Sequence, residues 1–116
     1  MEYNENLMST LKPHSNLWIE CDGRVVLSKW RVRLLEAIQG TGSISAAARR
    51  VDVAYPRAWD KLDEMEKGLG VRLVERQVGG ARLTAAGCEY VARFKRFVRD
   101  LDDVITGHFE QAFGDR

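Results

Sequence analysis

The sequence predicts a mainly α domain with a small amount of β-structure, and three observations carry that expectation. Ile44, Ala47, Ala48 and Val51 fall at i, i+3, i+4 and i+7, which places four apolar groups on one helical face. Ala58, Leu62, Met65 and Leu69 repeat helical spacing just beyond. The first face is narrow and mostly alanine, so a second helix can cross it closely. Val51 to Ala54 between them leaves room only for a turn, and Pro56 suits the first turn of the second helix, where its missing N–H is no loss. Thirdly, two short β-prone runs meet at Gly79-Gly80 directly after that pair, and a long helical pattern follows them. Together these make a winged helix-turn-helix with a long helix behind it. In such a motif the second helix projects its N-terminal end, the geometry that enters a DNA major groove.

A chain of 116 residues with 45% apolar content supports one modest core. Its formal net charge of +1 is not that of a strongly basic nucleic-acid binder, so charge has to be read by segment. Arg49 to Arg57 holds three Arg and one Asp, and Arg72 to Arg82 three Arg and one Glu, while acids gather in Asp60–Glu66 and Asp100–Asp103. A neutral total therefore conceals one positive face. Cys21 and Cys88 lack CxxC spacing and are too few for a zinc site; buried or idle thiols in a reducing compartment are expected, with no metal and no cofactor. MEYNENLMSTLKP has neither a basic n-region nor an apolar run, so no membrane association is signalled and a cytoplasmic protein is expected.

Residues 1–14 read as a flexible arm or short helix, 15–84 as the winged domain, and 85–116 as a dimerisation helix and tail. Leu17, Ile19 and Cys21 alternate with polar or outward residues before Asp22-Gly23, and Val25-Val26-Leu27 follows, which predicts a hairpin with a type I′ turn. Ser28 caps the next helix, whose stripe is Trp30, Leu34, Leu35 and Ile38 and which Gly40 and Gly42 end. Ser43 caps the Ile44–Arg50 helix, and the following helix, from about Ala54 to Lys67, stops at Gly68 and Gly70. Val71 to Arg76 and Ala81 to Thr84 form the wing strands around a Gln77-Val78-Gly79-Gly80 turn. Thr84 caps a last helix from Ala85 to about Thr106, with a loose end after Gly107. Its Val91, Phe94, Val98, Leu101 and Ile105 step alternately by three and four, a seam of coiled-coil spacing read as a dimer interface.

Arg57, in the first turn of the projecting helix, has the geometry to pair with guanine O6 and N7 or to hold a phosphate. Tyr55, Pro56 and Trp59 share that end; Trp59 either meets thymine methyls or packs beside the first helix. Ser45 offers a hydroxyl and backbone N–H groups to a phosphate. Arg76 and Arg82 flank Gly79-Gly80, straddling a phosphate strand or reaching a narrow minor groove. Arg49 and Arg50 complement their helix dipole, and Arg93, Lys95, Arg96 and Arg99 decorate a solvated face. His14 and His108 sit near the ends with no nucleophile placed beside them, and Gly79-Gly80 has no phosphate-loop pattern around it, so an enzyme is not expected.

The runs LLEAIQGTGSISAAARRVDVAYPRAW, LVER and GGARLTAAG, within Trp30 to Phe97, resemble the N-terminal winged-helix domain of the molybdate-responsive regulators of the ModE family, and more distantly the DNA-binding domain of LysR-type regulators. The resemblance implies a dimer on double-stranded DNA, with the helix near Ala54 in the major groove and the wing on the backbone or minor groove. Three departures stand out. Ala54 occupies a place usually held by Ser, the wing glycine run is shorter, and the family's oxyanion-binding module does not follow before Arg116. The expected function is therefore a homodimeric, sequence-specific transcription regulator without its own oxyanion sensor. Two alternatives stand beside it: a winged protein-interaction module that does not bind DNA, favoured by Asp60, Asp63 and Glu64 on the projecting helix, and a DNA-binding subunit that takes its signal from a separate effector-sensing protein.

Overall fold

The computed structural model describes residues 11–114. Most of the expected arm or short helix over 1–14 lies outside the described residues; residues 11–14 have no regular structure. The described elements are β1 (Trp18–Cys21), β2 (Arg24–Ser28), α1 (Lys29–Thr41), α2 (Ile44–Arg50), α3 (Tyr55–Leu69), β3 (Val74–Gln77), β4 (Gly80–Leu83) and α4 (Ala85–Phe113).

β1 and β2 pair antiparallel, and Asp22 and Gly23 both take positive φ (52° and 80°), as a type I′ turn requires. The register slips between Ile19 and Glu20, leaving Val26 unpaired in β2. That bulge lets the consecutive residues Val26 and Leu27 both enter the core. Val26 then meets α3 at Gly68, where an added Cβ would lie 2.2 Å from Val26 Cγ1. Gly68 is thus a crossing point inside α3, and the helix runs on to Leu69 before Gly70 (φ 71°) caps it. The same correction holds for α1, which passes through Gly40 to Thr41 and ends on Gly42 (φ 75°), whose N–H donates to Ile38 O at 2.8 Å.

The expected N-caps hold. Ser28 Oγ accepts from Arg31 N, Ser43 Oγ from Ala46 N, and Thr84 Oγ1 from Gly87 N, at 3.1, 3.1 and 3.0 Å. α3 has no side-chain cap at Ala54 and starts on Pro56 in its first turn. Between α2 and α3, Asp52 takes φ 57°, and Val53 N donates to Ala48 O at 2.9 Å, closing the turn. The core gathers Leu34, Leu35 and Ile38 of α1, Ala47 and Ala48 of α2, Ala58, Leu62 and Met65 of α3, and Leu73. All the inward positions read from the two motif helices are buried or half-buried.

β3 and β4 form the wing, with Val74 opposite Leu83 and Gln77 opposite Gly80. β3 begins at Val74 rather than Val71 because the preceding backbone bonds elsewhere: Glu66 Oε2 on α3 accepts from Leu73 N (2.8 Å) and Val74 N (3.2 Å). The other strand is tied to α1 and its end, through Ala81 N to Gly42 O (2.8 Å) and Leu83 N to Gln39 Oε1 (3.0 Å). Gly80 lies so close to this junction that an added Cβ would sit 2.4 Å from Gly42 O. Of the two wing glycines one serves φ and the other proximity.

α4 continues to Phe113, well past the expected Thr106, and at 29 residues it is about 43 Å long. Phe109 and Phe113 stack one turn apart, centroids 5.2 Å, across what the sequence suggests is a loose end. Its first half belongs to the body: Phe94 is buried, Tyr90, Val91 and Val98 pack on the core, and Lys95 pairs with Glu36 of α1 at 2.7 Å. Lys95 thus stays on the solvated face, where it adds a surface ion pair to that packing. At Gly87 an added Cβ would lie 2.2 Å from Leu73 O, backbone that cannot swing aside. Gly87→Ala is expected to lower unfolding free energy by about 2 kcal/mol in urea titrations at unchanged m. Gly107→Ala, where a Cβ meets nothing within 4 Å, should instead raise it by about 0.5–1 kcal/mol.

Candidate nucleic-acid interface

The N-terminal turn of α3 stands clear of the body. Tyr55, Pro56 and Arg57 are exposed, while Ala58, Leu62 and Met65 hold the opposite face in the core. No carboxylate lies in that first turn. The acids begin a turn later, and two are already engaged: Asp63 with Lys67 at 2.9 Å, and Glu64 with Lys61 at 3.2 Å and Arg31 at 3.3 Å. The exposed end of α3 is thus positive or neutral where it projects farthest.

Ser43, Ile44 and Ser45 at the start of α2, Tyr55, and residues 76–81 of the wing line one open groove of about 720 Å³. Five residues singled out from sequence meet there: Ser45, Tyr55, Arg76, Gly79 and Gly80. Arg57 borders a neighbouring hollow with Asp52, Val53, Lys61 and Trp30. Ser45 Oγ is 3.2 Å from Arg49 Nη1, so Arg49 reaches back along α2. Trp59 is half-buried against the core, its ring edge-on to Tyr55 (centroids 6.3 Å, 76°), and the Arg76 guanidinium lies 4.4 Å over it.

Arg76 and Arg82 do not straddle the tip as a matched pair. Arg76 is opposite Ala81 and shares the wing's inner face, whereas Arg82 is opposite Glu75 and is held by it at 3.2 Å. Neighbouring strand residues face opposite ways, so two arginines an odd number of pairs apart cannot share a face. Val78 stands fully exposed at the tip beside Gly79 (φ 83°). An apolar side chain set in a glycine turn was its only sequence signal.

Of the residues expected to form a dimer seam, Val91, Phe94 and Val98 are turned to the chain's own core, Phe94 completely, because α1 and α4 cross there. Leu101 and Ile105 remain half-exposed and Val104 and Phe113 exposed, beyond the reach of the body. Cys21 and Cys88 are exposed free thiols rather than buried ones.

Arg31 is a buried cation that sequence gave no reason to single out; it donates to Lys61 O at 3.5 Å and to Glu64. Burial alone would raise the Glu64 pKa, but the Lys61 hydrogen bond and the charges of Arg31 and Lys61 outweigh it and hold the carboxyl below its ordinary 4.5. A depressed folded-state pKa contributes stability above 4.5 that is lost as pH falls through the folded value. Glu64→Gln should therefore lower the thermal midpoint at neutral pH, through a stability loss of no more than about 1 kcal/mol for a half-exposed pair. The gap from wild type should close in melts run progressively below pH 4.5.

The profile of bacterial regulatory helix-turn-helix proteins of the lysR family matches residues 30–88. The chain belongs to that family. The lysR-family segment begins in α1 and ends in the first turn of α4, so it takes in every groove-lining residue. Among curated relatives, the molybdenum transport protein ModE of Azotobacter vinelandii is 42% identical over 82 residues, covering 66% of this chain and 30% of that protein. The transcriptional regulator ModE of Haemophilus influenzae is 39% identical over 110 residues, 95% of this chain and 39% of its own length. The chain thus spans about a third of these relatives. Among solved structures, the CbnR DBD–DNA complex superposes with TM-score 0.57 at 29% identity, covering 71% of this chain and 92% of that one. The winged lysR-type fold and the ModE resemblance expected from sequence both stand, and neither relationship is to an enzyme.

Proposed function

We propose that this chain is a sequence-specific DNA-binding transcription regulator that works as a homodimer. The observation that carries the reading is the exposed first turn of α3, free of carboxylates, set beside a wing whose Arg76 opens on the same groove. In this reading Tyr55, Pro56 and Arg57 read base edges, Ser45, Gly79, Gly80 and Arg76 follow the backbone, and Arg82 reaches DNA by leaving Glu75. The CbnR DBD, a similar domain solved in complex with DNA, supports it. The far half of α4, Leu101 and Ile105 with Val104, packs on a second copy, and two-fold symmetry then sets half-sites about one helical turn apart or a multiple of it. In this reading the regulator acts where its DNA is, in the cytoplasm. Among the described residues no helix is long and apolar enough to cross a membrane.

Selection of bound sequences from random DNA, followed by mobility shifts over a salt series, tests this. Enrichment of a near-palindrome whose binding weakens steeply with salt is expected, since each arginine–phosphate contact releases counterions. No enrichment overturns the reading in favour of a protein-interaction module, whose support is exposed Asp60 on α3. The ModE relatives support a second reading, a DNA-binding subunit that takes its signal from a separate effector-sensing protein. Its test is the same mobility shift with molybdate or tungstate added: a change that requires lysate favours it, and a change with the oxyanion alone overturns it.

A further inference from the structure

We infer that Trp59 is a positioning residue for the wing: its ring fixes the Arg76 guanidinium relative to the reading end of α3, so the spacing of two DNA grips is set before binding. The inference rests on the DNA-binding reading above and adds to it a residue that acts through another.

The base of the wing is anchored three times, at Gly42 O, Gln39 Oε1 and Glu66 Oε2. Those anchors reach Leu73, Val74, Ala81 and Leu83 and stop short of the tip, where Val78 and Gly79 are exposed. Arg76 lies opposite the anchored Ala81 but on β3, whose own anchors end at Val74, and its contact with Trp59 ties its guanidinium to α3. A guanidinium centre 4.4 Å from an indole centroid is well within cation–π range. Tyr55, edge-on to the same indole one turn earlier, steadies the ring from the groove side.

Stacking occupies the face of a guanidinium and leaves its N–H donors pointing outward in the plane. Arg76 can therefore keep its seat on Trp59 while its edge meets a phosphate or a groove floor. Among the described residues it is paired with no carboxylate, in contrast to Arg82, whose Nε is taken by Glu75 at 3.2 Å. A free arginine samples many rotamers, and holding it in one removes that entropy loss from the binding step. A lysine at the same place keeps the charge but cannot stack as a plane.

The test uses a duplex selected from random DNA by the wild-type protein, with Trp59→Leu, Trp59→Phe, Arg76→Ala and the Trp59→Leu/Arg76→Ala double variant, each first checked by urea unfolding. Trp59→Leu is expected to weaken binding about tenfold while leaving the salt slope unchanged, because the Arg76 charge is still present. Arg76→Ala should weaken it at least as much and reduce the slope by about one. The double variant should bind within about twofold of Arg76→Ala, and Trp59→Phe, which keeps a ring, within about threefold of wild type. In the free protein, the Arg76 side-chain N–H resonance should be shifted upfield by the indole and lose that shift in Trp59→Leu. Multiplicative losses in the double variant, or an unshifted Arg76 resonance in wild type, overturn the inference while wild-type binding stands. Failure of the wild-type protein to bind any duplex overturns the DNA-binding reading and this inference with it.

Discussion

A chain ended at Asp100 is expected to be a folded monomer where the full chain is a dimer. α4 divides into a half packed on the body and a half beyond it. Tyr90, Val91, Phe94 and Val98 pack on the chain's own core and Lys95 is bound to Glu36, so the body keeps all its packing when the helix stops after Asp100. The residues removed include Leu101, Val104, Ile105, Phe109 and Phe113, an apolar stripe in which Val104 and Phe113 retain 55% and 50% of their accessible surface. Such a stripe, about 20 Å of helix with no element of the described chain against it, is the kind of surface a second copy covers. Light scattering should report the change in mass, and the thermal midpoint of the winged body should fall little. Binding to a two-half-site duplex should drop by 100-fold or more, because each half-site is then bound without the tether to the other. Binding to an isolated half-site should hardly change. A truncated chain that still dimerises would place the interface on another surface.

The division of α4 was not legible from its sequence. Val91, Phe94, Val98, Leu101 and Ile105 keep one spacing throughout, and spacing alone does not say whether a neighbour is the same chain or another. What decides it is where α1 ends its contact with α4, a tertiary fact. The helix-turn-helix was legible because two local patterns and a short turn agreed, and the caps Ser28, Ser43 and Thr84 marked its boundaries. Glycines misled at two stops. Gly40 and Gly68 read as helix ends, but Gly68 exists for Val26 to pass, and the terminating role falls to the left-handed Gly42 and Gly70. At the candidate interface the exposed residues of α3 were found by helical phase. The pairing of Arg76 with Trp59 was missed because a strand and a helix 17 positions apart meet only once the wing folds back, and Glu66 and Gln39 were missed as wing anchors for the same reason.

Arg57→Ala is expected to weaken binding to the selected duplex by about 10- to 100-fold, the range for losing one bidentate contact to a guanine. Arg57 is exposed in the first turn of α3, one residue after Pro56, and its N–H donates to Ala54 O at 3.0 Å, so its backbone is already helical. Among the described residues it makes no ion pair, and Ala58 beside it carries the packing. Folding stability should therefore stay within about 0.5 kcal/mol of wild type, as for other surface positions. Random DNA sees only a charge, so its affinity for the variant should fall a few-fold at most. Arg57→Lys separates the two contributions: it restores random binding and leaves the loss on the selected duplex, because a point charge cannot reproduce the planar fork. Equal losses on both duplexes would make Arg57 a phosphate contact and move base reading to Tyr55 and its neighbours on the same turn.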